Sequence, residues 1–205
     1  MPSALRVTAI EVAAAFGGAA AKLAWVDSIL ASAPTDLVLL PEASLTGYVS
    51  PEGDFDLTRF AEPRDGPTAR ALAALAKKHR TRLVGPLVER DGADFFNAMI
   101  GFDAAGADFL HYRKRHPWYP ETWATPGAAA HPVVEIAGLR VTIAICFDIH
   151  FANELPAAGV LLFSSAWVED RGAERSEEDS RPALLSALGV HVVNANWGVG
   201  EPSVA

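Results

Sequence analysis

The stretch DLVLLPEASLTGY, residues 36–48, runs an unbroken apolar segment into Pro41 and then Glu42. A strand with one wet face alternates apolar and polar residues, so an unbroken run predicts a strand covered on both faces. That is the signature of an α/β sheet with helices layered on it. Glu42 then falls just past the C-terminal end of the strand, where open α/β sheets keep their chemistry. Taken alone, the same carboxylate also suits a solvated loop or the start of a helix.

Working outward, short runs rich in Val, Ile, Leu and Phe predict strands near 5–12, 36–41, 82–88, 94–102, 107–112, 132–136, 139–145, 159–164 and 190–196. Helices are expected near 19–32, where Ala20, Leu23, Ala24, Ile29 and Leu30 share an apolar face, near 67–79, where Pro67 suits a first turn, and near 177–188. DAAG at 103–106 and AGL at 137–139 have the composition of hairpin turns. No linker, repeat or low-complexity segment divides the chain, so one α/β domain over 1–205 is expected.

Composition sets the surroundings. With 205 residues, 50% hydrophobic and 20% charged, the chain can bury a sizeable core. Its 17 basic against 25 acidic residues give a formal charge of -8, which repels nucleic-acid backbones and anionic membranes, and HYRKRH at 111–116 is too short to reverse this. No apolar run approaches the roughly 18 residues of a membrane span. VTAIEVAAAFGGAA after Arg6 has the outline of a secretory leader, but Glu11 interrupts it and a first strand is expected there. A lone cysteine makes neither an internal disulfide nor a thiolate cluster, which favours a reducing compartment, the cytoplasm. The six His are scattered without ligand spacing, so no metal is expected, and no other cofactor is expected either.

That cysteine, Cys146, ends the run in VTIAICFDIH (141–150) and precedes Phe147 and Asp148. A strand exit combines rigid support with an exposed tip, which a nucleophile needs; a small buried hydrophobe is the alternative. Lys114 follows a strand in FLHYRKRHPWYPETW (109–123), among cations that would also suit a solvated patch. Beyond it, two Trp, a Tyr, two Pro and Glu121 form a stiff aromatic loop of the kind that lines pockets.

Together and in this order, PEASLTGY, YRKRHPW and ICFD resemble the Glu, Lys and Cys signatures of the nitrilase superfamily, the carbon-nitrogen hydrolases. NAMIGFDAAG, WATPG, GLRVTIAICFD, GVLLFSSAW and VVNANWG extend the resemblance over nearly the whole chain. It implies a four-layer αββα sandwich with a site at one end of the strands. It implies that Cys146 attacks a carbonyl or nitrile carbon, with Glu42 as general base and later acid. Lys114 and the backbone N–H of Phe147 would face the oxyanion, while Glu121 would orient Lys114 or the substrate. Tyr48, Trp118 and Trp167 are the expected substrate-binding residues. An ordinary thiol with a pKa near 8.5 is a few per cent ionised at neutral pH, so it gains from a base and a cation nearby.

The ICFD form is closer to amidase and carbamoylase members than to the Cys-Trp-Glu form of true nitrilases, so a linear amide or N-carbamoyl substrate is expected. The alternatives are a catalytically silent binding or oligomer-forming subunit, a nitrile hydrolase, or an acyl transferase. FDIHFANELP keeps Asp148, Phe151 and Glu154 but lacks the Pro and Arg of many members. The chain stops at EPSVA soon after VVNANWG, where members continue, so a sandwich short of its C-terminal strands is expected. The resemblance also implies a homodimer or larger assembly.

Overall fold

The computed structural model describes residues 4–13, 15–167 and 180–198. In chain order its elements are β1 (Val7–Ala9), β2 (Val12–Ala13), α1 (Ala19–Ser32), β3 (Leu37–Leu39), a 3-10 turn (Thr58–Phe60), α2 (Pro67–His79), β4 (Arg82–Asp91), β5 (Asp94–Phe102) and β6 (Asp108–Arg113). They continue with β7 (Val133–Ile136), β8 (Leu139–Ile145), a 3-10 segment (Cys146–Glu154), β9 (Val160–Ser164), α3 (Arg181–Ser186), β10 (His191–Ala195) and β11 (Trp197–Gly198).

One sheet has the order β1-β3-β4-β5-β6, parallel through β4 and antiparallel beyond it. The other has the order β10-β9-β8-β7, parallel except for β7. Side chains of β3 explain the unbroken apolar run. Leu37 and Leu39 enter a core shared with Ile143, Ile145 and Leu162 of the second sheet, whereas Val38 and Leu40 pack under Val26, Leu30, Leu72 and Ala76 of α1 and α2. On the far side of the second sheet, Ala144, Leu161 and Phe163 pack against Ile149 of the 3-10 segment and Leu184 of α3. Every strand face is therefore covered where these runs occur, and the layers read helix, sheet, sheet, helix.

Some expectations need correction. The strand predicted over 5–12 divides: Val7–Ala9 pairs with β3, and Val12–Ala13 leaves the sheet to pair with β11. In α1 the inward face runs through Ala19, Leu23, Val26 and Leu30, at spacings of four, three and four, which turns Ala20 and Ala24 outward. The third helix is described as Arg181–Ser186, capped by Ser180, and its expected start at 177 lies outside the described residues. Both hairpin turns are present. Asp103 Oδ1 accepts from the N–H groups of Ala105 and Ala107, and Ala137 and Gly138 form a two-residue turn at φ 53° and 79°. Among the described residues no helix is long and apolar enough to cross a membrane.

Candidate active site

The C-terminal ends of β3, β6, β8 and β9 converge, and each delivers part of one cluster. Glu42 follows β3 and is sealed from solvent, as are Lys114 after β6 and Glu121 in the aromatic loop. Lys114 Nζ donates to Glu42 Oε1 at 2.7 Å and to Glu121 Oε2 at 2.6 Å. Asn97 of β5 spans the same two carboxylates, its Nδ2 donating to Glu42 Oε1 at 2.8 Å and Glu121 Oε1 at 2.6 Å. Glu42 Oε2 accepts from the Ala166 N–H at 2.9 Å, and Glu121 Oε2 from the Trp118 N–H at 2.6 Å. Gly127 of WATPG closes this end: its N–H donates to the Lys114 carbonyl at 2.8 Å, and a Cβ there would strike the Arg113 carbonyl oxygen.

Burial is the largest influence on Glu42 and pushes its carboxyl up; Lys114 pulls it down, the charge on Glu121 pushes it up again, and the net shift is upward. Burial works to lower Lys114, but the charges of Glu42 and Glu121 outweigh it and hold the ammonium above the ordinary lysine range. Burial likewise pushes the Cys146 thiol well up, the charge on Glu42 adds to this, and Lys114 opposes it. The resting thiol is thus less ionised than the few per cent expected of a free one. A raised carboxyl beside it is a stronger base, suited to taking the thiol proton as sulfur attacks rather than beforehand.

Cys146 sits at the hinge between β8 and the 3-10 segment with φ 42°, in the left-handed region. For a residue with a Cβ this backbone costs about 1–2 kcal/mol. Asp148, fully buried, holds it: Oδ2 accepts from the Ile145 N–H at 3.1 Å and the Tyr112 hydroxyl at 2.8 Å, and Oδ1 from the His116 N–H at 2.9 Å. An intramolecular hydrogen bond contributes about 0.5–1.5 kcal/mol, so three converging on one buried side chain offset a strain of this size. Farther out, His116 stacks on Phe151 with ring centroids 3.6 Å apart, and its Nε2 meets Glu154 Oε2 at 3.0 Å. Phe151 and Glu154 therefore clasp the 3-10 segment to the chain just after Lys114.

Cys146 opens onto a cleft of about 240 Å³. All the expected binding residues line it: Tyr48, Trp118 and Trp167, with Phe147 beside the cysteine. Their rings are fixed by one another. Tyr48 stacks on Trp118 at 6.3 Å, Phe55 meets both edge-on, and His150 stacks on Trp167 at 5.7 Å. Among the described residues no set of three or more His, Cys, Asp or Glu side chains is placed to hold a metal ion.

Sequence reasoning missed Asn97, Phe55, His150 and Trp197. Asn97 carried a usable signal, a polar side chain inside the apolar run DFFNAMIGF, where a buried amide needs partners. Trp197 lines the cleft and its Nε1 donates to the Glu42 carbonyl at 2.7 Å, a bond between residues 155 positions apart.

The family model described as carbon-nitrogen hydrolase matches residues 5–172. A hydrolase encoded in the pqqF 5′ region of Pseudomonas protegens is 35% identical over 134 residues, covering 62% of this chain and 46% of that protein. An (R)-stereoselective amidase of Pseudomonas sp is 32% identical over 122 residues, covering 60% and 42%. The chain thus spans under half the length of these relatives. Among solved structures, a mutant of the amidase from Nesterenkonia sp. AN1 carries the acetamide moiety of fluoroacetamide on its active-site cysteine. It superposes with a TM-score of 0.79 at 20% identity, over 96% of this chain and 77% of that one, and so shares the fold.

Proposed function

The chain belongs to the carbon-nitrogen hydrolase family, and from that premise we propose that it hydrolyses the carbon–nitrogen bond of a small amide or N-carbamoyl compound through a thioester on Cys146. One observation carries this reading: a lysine and two carboxylates, sealed from solvent and bonded at 2.6–2.7 Å, lie behind a thiol that faces an open cleft.

Glu42 takes the Sγ proton as sulfur attacks the carbonyl carbon. Negative charge grows on the carbonyl oxygen, where the Lys114 ammonium and the Phe147 N–H act as donors, an effect typically worth about 3–4 kcal/mol per donor. The C–N bond breaks as Glu42 returns its proton to nitrogen, and ammonia or an amine leaves. Water then attacks the thioester as Glu42 accepts its proton, the C–S bond breaks, Glu42 returns that proton to Sγ, and the acid departs. Asn97 and Glu121 keep Lys114 and Glu42 in register throughout. The amidase and hydrolase names of the relatives support the amide reading.

The test is intact-protein mass spectrometry during turnover of a slow amide. An added acyl mass on wild-type protein that is absent from Cys146→Ala supports the proposal. Turnover retained by Cys146→Ala overturns it, and no turnover of any amide or carbamoyl compound favours the silent-subunit reading.

The same proposal includes a cytoplasmic homodimer or larger assembly. A single free, buried thiol suits a reducing compartment. Light scattering at micromolar concentration tests the assembly, and a clean monomer overturns it.

A further inference from the structure

The cleft in front of Cys146 is walled by rings. Phe55, Trp118, Phe147, Trp167 and Trp197 line it, and no Lys or Arg does among the described residues. Among the described residues the ionisable side chains on its wall are Cys146, Tyr48 and His150. The His150 ring packs nearly parallel to Trp167, with 23° between the planes, and so adds a flat face to the wall. A substrate carboxylate would lose its water among these rings without meeting a Lys or Arg of the described residues, which is a heavy cost. An uncharged ring would meet flat apolar faces.

The two sides of the scissile bond are not equivalent. Lys114, Glu42 and Glu121 lie behind the cysteine, sealed from solvent, and none of them lines the cleft. The nitrogen must approach Glu42 to collect its proton, so it points into the closed side. The acyl substituent, which stays on sulfur, is left to extend along the rings. Size agrees with this: an apolar cavity of about 150 Å³ accommodates benzene, and this cleft offers about 240 Å³.

We propose that the substrate is a primary amide whose acyl group is an uncharged aromatic or bulky apolar group, released as the free acid with ammonia. The proposal rests on amide hydrolysis at Cys146 as proposed above. The S–C bond forms and the C–N bond breaks, the thiol proton passes through Glu42 to the departing nitrogen, and water supplies the hydroxyl of the acid. N-carbamoyl amino acids and amides of large amines are poor substrates on this view.

The experiment compares kcat/KM of the full chain for phenylacetamide, acetamide, acetanilide and N-carbamoylglycine, by release of ammonia or, for acetanilide, aniline. Phenylacetamide exceeds acetamide by about tenfold or more, and the other two by about a hundredfold. Trp167→Ala loses more on phenylacetamide than on acetamide, mainly through KM. Equal or better turnover of acetamide, acetanilide or N-carbamoylglycine overturns the proposal. A separate arm titrates the tryptophan fluorescence of Cys146→Ala, which reads recognition without chemistry. There phenylacetamide binds about tenfold more tightly than N-carbamoylglycine. That result with no turnover by wild type sinks the hydrolytic reading and keeps the recognition; equal affinities sink the recognition whatever the turnover.

Discussion

Lys114 Nζ lies 2.7 Å from Glu42 Oε1, and neither side chain has any exposed surface. Taking two ions out of water costs several kcal/mol each, and their attraction offsets this only when the remaining donors and acceptors are also satisfied. Here they are engaged: Asn97 and the Ala166 N–H hold Glu42, and Glu121 takes a second bond from Lys114.

Removing the cation leaves two buried carboxylates facing each other. Lys114→Met is therefore expected to lower stability by about 3–5 kcal/mol, read by urea denaturation. A loss below about 1 kcal/mol would mean that water reaches the cluster.

Glu42 and Cys146 exchange one proton and act as a unit. Glu42→Gln is expected to reduce kcat about a hundredfold or more, and Cys146→Ala to reduce it to background. The double variant should be no worse than Cys146→Ala alone. Multiplying losses in steady-state kinetics would show that the two residues work independently.

Asn97 donates to both carboxylates, and its bond to Glu42 favours the charged form of that carboxyl. Asn97→Leu keeps the volume and removes the donors, so the Glu42 carboxyl should rise further. The acidic limb of the rate–pH profile then moves to higher pH, with kcat down about ten- to a hundredfold and KM little changed. An unmoved acidic limb would reduce Asn97 to a packing role.

On β4, burial works to raise the Glu89 carboxyl, but bonds from His111 and Arg113 outweigh it and hold it at about 2. A depressed carboxylate stabilises the fold above its ordinary value near 4.5 and loses that contribution as pH falls toward 2. The stability advantage of wild type over Glu89→Gln should therefore be full at pH 6 and shrink between pH 4.5 and 2. A constant difference across that window would rule this out.

Much of the architecture was legible because apolar runs such as DLVLL and VTIAI are covered on both faces, which leaves a local mark on the sequence. Glu42 and Cys146 stood out because each follows such a run, whereas Lys114 follows the alternating strand DFLHYR and was singled out by the aromatic loop beyond it and by the family resemblance. The division of the first strand left no mark, since pairing of Val12 with Trp197 depends on a partner 185 positions away. Asn97 belonged to a recognised motif, yet its role became visible only when β5 brought its amide between two carboxylates. Phe55 and His150 are placed by ring contacts between distant loops, and no spacing rule anticipates these.

The walls of the cleft are wired to the charges behind it. The Trp118 peptide nitrogen holds Glu121, the Trp197 indole holds the Glu42 carbonyl, and Ala166, next to Trp167, holds the Glu42 carboxylate. A protein engineer who replaces Trp197 would remove the indole bond to the Glu42 carbonyl and so disturb the proton-transfer apparatus, with a loss in turnover, whereas Trp118 and the Ala166–Trp167 segment act there through peptide N–H groups that a side-chain change leaves in place. Phe55, which reaches the cleft through ring contacts with Tyr48 and Trp118, is the better first position to diversify.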